Sequence, residues 1–157
     1  MTPESKAFLD RASDAAIAAN HPFPRMAAAE AALESAWGKS SLAMQDNNLF
    51  GTKQHTHPVW DSINLPTREF EKGSWITVEA AWVKYPDWAA CFNDRLATLM
   101  RLSPTYPHYM AALRARDAET YVREVSQTWS TDPNRAAKCI SIYDAYLGTM
   151  SVAEVTA

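Results

Sequence analysis

The spacing of apolar and polar positions divides the chain into a helical body interrupted by one polar insert. Ser5–Ala19 is rich in alanine, and Phe8, Leu9, Ala12, Ala16 and Ile17 recur near one face, so the segment predicts a helix. Asn20, Pro22 and Pro24 break it. A second helix is predicted from about Arg25 to Trp37, with Met26, Leu33 and Trp37 on one buried stripe. Gly38 is placed to end it in the left-handed conformation. Residues 39–66 have no helical period and are rich in Asn, Gln, His, Ser and Asp, which predicts loop and short extended pieces. Thr67–Phe70 and Trp75–Val78 flank Glu71-Lys72-Gly73-Ser74 and predict a hairpin with glycine in its turn. Pro86 and Asp87 open a third long helix to about Arg101, burying Trp88, Phe92, Leu96 and Leu99. Three further helices are predicted at about Tyr109–Arg114, at Glu119–Trp129 with Asp117 or Ala118 at its start, and at Pro133–Leu147. Asp132 and Pro133 suit a helix start, because Asp caps free amides and Pro at the first position loses no bond. Gly148 closes the last helix, and the tail from Thr149 is expected to fray.

Composition narrows the classes. A chain of 157 residues with 47% hydrophobic content suits one compact domain that needs no staples. The net charge of −3 without blocks of like charge argues against a nucleic-acid partner. No apolar run approaches the roughly 18 residues of a membrane span, and no secretory signal is visible near Met1–Asp10. Cys91 and Cys139 lie in helical, apolar segments without Cys-x-x-Cys spacing and read as two buried thiols. His55-Thr56-His57 offers two metal ligands without a third, so it reads as a surface loop at a cleft rim, and neither metal nor cofactor is expected. No phosphate-binding glycine loop or nucleophile elbow is present.

Glu34 is the carboxylate with the most informative position. It falls in the last turn of the second predicted helix, where the helix dipole disfavours an anion. Glu30, four residues earlier on the same face, adds like-charge repulsion, and Leu33 and Trp37 lower the local polarity. These three influences favour the protonated form that a general acid needs, and Lys39 opposes them. Position alone also fits a solvated Glu on a good helix former.

The wider pattern separates these readings. Ala31-Ala32-Leu33-Glu34-Ser35-Ala36-Trp37-Gly38-Lys39-Ser40, followed by Asn48-Leu49-Phe50-Gly51-Thr52-Lys53, resembles the signature of the glucosaminidase family of bacterial and phage peptidoglycan hydrolases, which includes flagellar hydrolases and autolysins. In that signature an Ala-rich helix ends in Glu-Ser-x-Trp-Gly-x-Ser, and a short loop leads to Asn-Leu-Phe-Gly-x-Lys. Pro66-Thr67-Arg68-Glu69-Phe70-Glu71-Lys72-Gly73 resembles the family's Thr-x-Glu-Tyr-x-x-Gly strand. Trp82-Val83-Lys84-Tyr85 resembles its Phe-Arg-x-Tyr run, and Trp129-Ser130-Thr131-Asp132-Pro133-Asn134 its Tyr-Ala-Thr-Asp-Pro run. Two departures stand out: Trp129 and Arg135 occupy places where the family often carries tyrosine. Trp in place of Tyr keeps a stacking face and loses the phenolic donor.

The resemblance covers about Ala27–Leu147. It implies a mainly α, lysozyme-like helical domain with a small β-hairpin lobe, spanning 1–157 with its core at about 4–148 and no wall-binding module. It implies an endo-β-N-acetylglucosaminidase that cuts the β-1,4 bond following N-acetylglucosamine in peptidoglycan glycan strands. Glu34 is then the proton donor, and Glu69 matches the second acid, with Glu71 next and Asp61 as an outsider. Glu69 also reads as an exposed strand residue paired with Arg68 or Lys72. An inverting route and a substrate-assisted retaining route both stay open. Asn48, Phe50, Trp60, Tyr85, Tyr109 and Trp129 are the expected sugar-binding residues, with Trp88 and Tyr106 as further candidates. Trp60 is expected to be the most exposed, while Trp37, Trp82 and Phe92 are assigned to the core. The expected setting is a monomeric phage endolysin or delivered toxin that reaches the wall after release and otherwise stays in the host cytoplasm. A lytic transglycosylase on the same fold, or an inactive glycan-binding protein, are the alternatives.

Overall fold

The computed structural model describes residues 1–157. The elements run α1 (Pro3–Ala18), α2 (Pro24–Glu34), α3 (Ser41–Asp46), β1 (Ser62–Glu71), β2 (Ser74–Val83), α4 (Trp88–Leu102), α5 (Pro107–Leu113), α6 (Ala118–Trp129), α7 (Arg135–Leu147) and α8 (Val152–Thr156). The architecture is mainly α with one hairpin lobe, as expected. No helix is long and apolar enough to cross a membrane.

α2 is the axis of the body. Met26 through Ala32 are all buried, and the helix packs on α1, α6 and α7. This differs from the single buried stripe expected of it. Alanine side chains leave room for neighbouring helices on every side, so the helix is enclosed all round. Leu33 and Trp37 are only half-buried. Phe8 of α1 meets Trp37 and Trp88 at ring distances of 6.0 and 5.1 Å. A second cluster, around Met26, Leu99, Tyr121, Val122 and Val125, joins α2, α4 and α6.

α2 stops three residues before the expected Trp37. Ala36, Trp37 and Gly38 all have positive φ, at 51°, 59° and 76°. Two non-glycine residues in that region are costly, and local bonds hold them there. The Ser35 hydroxyl donates to the Ala31 carbonyl at 2.6 Å and accepts from the Gly38 N–H at 2.8 Å, while the Trp37 N–H reaches the Ala32 carbonyl at 2.8 Å. Gly38 is also required by space, since a Cβ there would sit 2.9 Å from the Phe8 ring.

The polar insert contains a helix that its composition hid, α3, capped by the Ser40 hydroxyl on the Ala43 N–H. The hairpin is longer than expected, and its turn is the two-residue Lys72-Gly73. Both turn residues have positive φ, 49° and 82°, which suits the twist of paired strands. At its base the hairpin is stitched to the insert: Val83 N–H donates to Thr52 O, and Gln54 N–H to Ala81 O. Neither strand packs broadly on a helix.

Gly148 closes α7 as expected, in the right-handed conformation. Two other features differ from expectation. α7 begins at Arg135, and Asp132 caps the preceding turn by accepting from the Asn134 N–H. The tail does not fray: Ser151 and Glu154 form a capping box for α8, and Arg25 donates to the Glu154 and Val155 carbonyls. Cys91 and Cys139 are buried free thiols, each pushed up to about 12 by burial.

Candidate active site

Glu34 is the last residue of α2, and its side chain keeps 24% of its surface. Its neighbours differ from those expected. Glu30 does not repel it, because Glu30 is fully buried and faces two cations. Arg95 of α4 donates to both oxygens of Glu30, at 3.2 and 2.9 Å, and Arg135 of α7 donates to Oε2 at 2.7 Å. The Tyr121 hydroxyl completes the shell by donating to Oε1 at 2.7 Å. Burial alone would raise the Glu30 carboxyl. Arg95 and then Arg135 outweigh it and hold Glu30 well below the usual carboxylate range.

Arg135 then turns to Glu34. Its Nε donates to Glu34 Oε1 at 2.9 Å and its Nη1 to the Ser126 hydroxyl at 2.9 Å. Glu34 Oε2 has no hydrogen bond to protein. The general-acid candidate thus carries one occupied oxygen and one free oxygen. Ser126 also lines a cleft of about 910 Å³ between the α5 start and the α6–α7 connection, which Tyr106, Arg123, Thr131 and Asp132 border. Glu34 lies outside that cleft's lining, on the other side of the Arg135 guanidinium.

Glu69 sits in the outer half of β1 opposite Ile76. It pairs with Lys53, at 3.0 Å, and not with Arg68 or Lys72. Lys53 also lies 5.7 Å from the Trp82 ring centre. Glu71 shares the Glu69 face beside the turn and is exposed, as is Asp61.

The expected sugar-binding residues separate into two groups. Asn48 is buried, and its amide is spent on backbone: it donates to Thr52 O and Val83 O and accepts from Thr52 N–H, all at 2.9 Å. Phe50 and Tyr109 are buried core rings, and Tyr85 is buried with its hydroxyl donated to Asp94. All four expected sugar-binding residues therefore present little surface here. Trp129 is half-buried, with the Arg95 guanidinium 4.2 Å from its ring centre. Trp60, expected to be the most exposed, is half-buried against Tyr85 at 6.3 Å. Trp88 is buried under Arg11, and Tyr106 is the exposed aromatic of the cleft at 42%. Phe92 belongs to the core, whereas Trp82, assigned there, lies half-buried on the hairpin and donates to Leu65 O.

His55, Thr56 and His57 line a separate cleft of about 700 Å³ with Asp94 and Arg101. Within it, His55 bonds Asp94 Oδ2 at 2.7 Å, and both side chains are largely covered. Sequence reasoning missed Arg95, Tyr121, Lys53 and Asp94, and noted Arg135 only as a departure. The signal for Arg95 was available: it stands four residues from Cys91 and Leu99 on the apolar face of α4, where a charge needs a buried partner.

Residues 10–148 match the family described as Mannosyl-glycoprotein endo-beta-N-acetylglucosaminidase. The chain is 32% identical over 130 residues to the exo-glucosaminidase LytG of Bacillus subtilis, covering 80% of this chain and 45% of that protein. It spans less than half the length of that relative. Its fold is similar to the catalytic domain of the autolysin Auto from Listeria monocytogenes, with a TM-score of 0.80, 25% identity, and 94% and 86% of the two chains covered. It is also similar to a glycoside hydrolase domain of FlgJ from Salmonella typhimurium, with a TM-score of 0.72, 31% identity, and 94% and 99% covered. Both the match along the sequence and the shared lysozyme-like architecture lead to one conclusion: this chain belongs to the glucosaminidase family of glycoside hydrolases.

Proposed function

We propose that this domain hydrolyses peptidoglycan glycan strands at the β-1,4 bond between N-acetylglucosamine and N-acetylmuramic acid, with Glu34 as proton donor. The observation that carries this reading is the state of Glu34. The signature carboxylate ends α2 with Oε1 fixed by Arg135 and Oε2 free of protein partners. A proton on Oε2 passes to the glycosidic oxygen as the C1–O bond breaks and its electron pair moves to the leaving sugar; a water oxygen then completes C1, and the proton that this water gives up restores the acid. We assign Glu69, oriented by Lys53, as the second carboxylate. Trp60, Trp129 and Tyr106 are the aromatic faces available to sugar rings. The setting we propose is a monomer that meets the wall after phage lysis or delivery.

The test is Glu34→Gln. The variant should fold like the parent and lose nearly all clearing of purified walls and release of reducing sugar. Parent-rate clearing by the variant overturns the assignment. Mass spectrometry of the products separates hydrolysis from transglycosylation, because an anhydro end lacks one water. The Arg135–Glu34 ion pair favours one second reading, a catalytically silent glycan-binding domain. Wall pull-down by the wild-type chain without sugar release would support it.

A further inference from the structure

Arg135 is the one side chain that touches both the buried ion pair and Glu34. Three of its nitrogens serve three partners: Nη2 on Glu30, Nε on Glu34, and Nη1 on Ser126, at 2.7, 2.9 and 2.9 Å. The residue is 1% exposed, so little water competes for these bonds. A guanidinium is a rigid plane, and one N–H cannot turn without moving the others. Glu34 Oε1 is therefore located by contacts that originate on α2 and α6 as well as α7.

Charge counting gives the arrangement a second property. Glu30 faces two guanidiniums, Arg95 and Arg135, which leaves one positive charge unmatched. The other titratable groups near the cluster are neutral at ordinary pH. Burial drives Tyr121 of α6 and Tyr109 of α5 upward and Cys139 of α7 to about 12, while His21 of the α1–α2 turn is driven down to about 4. The carboxylate of Glu34 is the remaining counter-ion in contact with the cluster. The resembled pattern often carries tyrosine where this chain has Arg135, so the pairing is not supplied by that pattern.

Taking Glu34 as the proton donor, we propose that Arg135 is its positioning residue and charge partner, stabilising the carboxylate that forms as the proton leaves. The proton moves from Oε2 to the leaving oxygen, and the negative charge created on Glu34 meets a donor already in place on Oε1. A preformed donor at a developing charge speeds the step.

The experiment compares wild type with Arg135→Gln and Arg135→Lys. Arg135→Gln keeps the Glu30–Arg95 pair and so keeps a partner for the buried carboxylate. Its kcat should fall at least about tenfold while KM stays near that of wild type. Arg135→Lys keeps the charge without the fork, so its kcat should lie between those of wild type and Arg135→Gln. Equal kcat in all three proteins overturns the proposal. If wild type releases no sugar, the glycosidase reading fails, and a crystal structure of Arg135→Gln with the Glu34 side chain in its wild-type position overturns the role of Arg135 separately. If Arg135→Gln does not fold, a lysine variant with the wild-type kcat overturns it.

Discussion

Lys53 Nζ lies 3.0 Å from Glu69 Oε1, tying the last residue of the Asn48–Lys53 segment to the outer half of β1. Both side chains are substantially exposed, so the pair contributes less than about 1 kcal/mol to stability. Its value is in orientation. Lys53→Met should leave the thermal midpoint nearly unchanged and lower wall hydrolysis several-fold, with Glu69→Gln lower still. Unchanged hydrolysis in the lysine variant would show that the pair is incidental.

Glu30 should matter chiefly for folding. Glu30→Gln leaves two arginines buried around one neutral amide, and breaking a buried pair from one side typically costs about 3–5 kcal/mol. Urea unfolding should show a correspondingly lower midpoint. A midpoint equal to that of wild type would mean that the arginines find other partners.

His21 makes stability depend on pH. The Phe23 N–H donates to its Nδ1, and its Nε2 meets the Tyr121 hydroxyl at 3.2 Å, so the neutral ring carries its proton on Nε2. Burial holds its folded-state pKa at about 4, against 6.5 ordinarily. Between those values the unfolded chain binds a proton that the folded chain refuses, so stability falls as pH drops from about 6.5 to about 4, by roughly 3 kcal/mol in total. Denaturation curves across that range check the slope. His21→Gln should flatten it, whatever it does to stability at neutral pH.

Asn48 allows a structural role to be separated from a sugar-binding one. Asn48→Ala removes three bonds to Thr52 and Val83 and strands buried backbone groups, which should cost about 2–4 kcal/mol. Chitooligosaccharide affinity of the folded protein should be close to wild type. A large affinity loss with full stability would return Asn48 to the sugar-binding surface.

Gly38→Ala combines two penalties, a positive φ and a Cβ placed 2.9 Å from the Phe8 ring. The expected loss is about 1–3 kcal/mol, read as a lower thermal midpoint. Because Phe8 also packs on Trp37 and Trp88, the paired variant Phe8→Leu with Gly38→Ala should lose less than the two separate losses combined.

Much of this architecture could be read from the chain. The long helices followed from apolar spacing and from caps such as Asp87 and Asp117, whose carboxylates accept from Ala90 and Thr120 N–H as their positions suggested. Helix α3 was hidden because six residues are too few to display a period, and its Ser40 cap looked like loop chemistry. The end of α2 was misplaced because the stitching by Ser35 overrides the steric preference of Ala36 and Trp37. Within the site, the position of Glu34 was legible and its surroundings were not. Spacing placed Glu30 beside Glu34 on the same helix, but whether two carboxylates repel depends on what lies between them. Here Arg95 and Arg135 arrive from 65 and 105 residues further along the chain. The surroundings of the aromatic candidates were not legible for a related reason: ring type shows capacity for stacking, while exposure is decided by packing, and Phe50, Tyr85 and Tyr109 are enclosed.

The backbone of the hairpin is fastened along one edge only, where Thr52 and Gln54 pair with Val83 and Ala81, and the Lys53–Glu69 side-chain pair is its tie further out. With that pair broken, the outer half is a cantilever. Glu69 is level with Ile76, five residues outward from Ala81, which is about 17 Å of strand. Bending the root by about 10° carries that carboxylate through about 3 Å, the difference between touching a group directly and reaching it through one water.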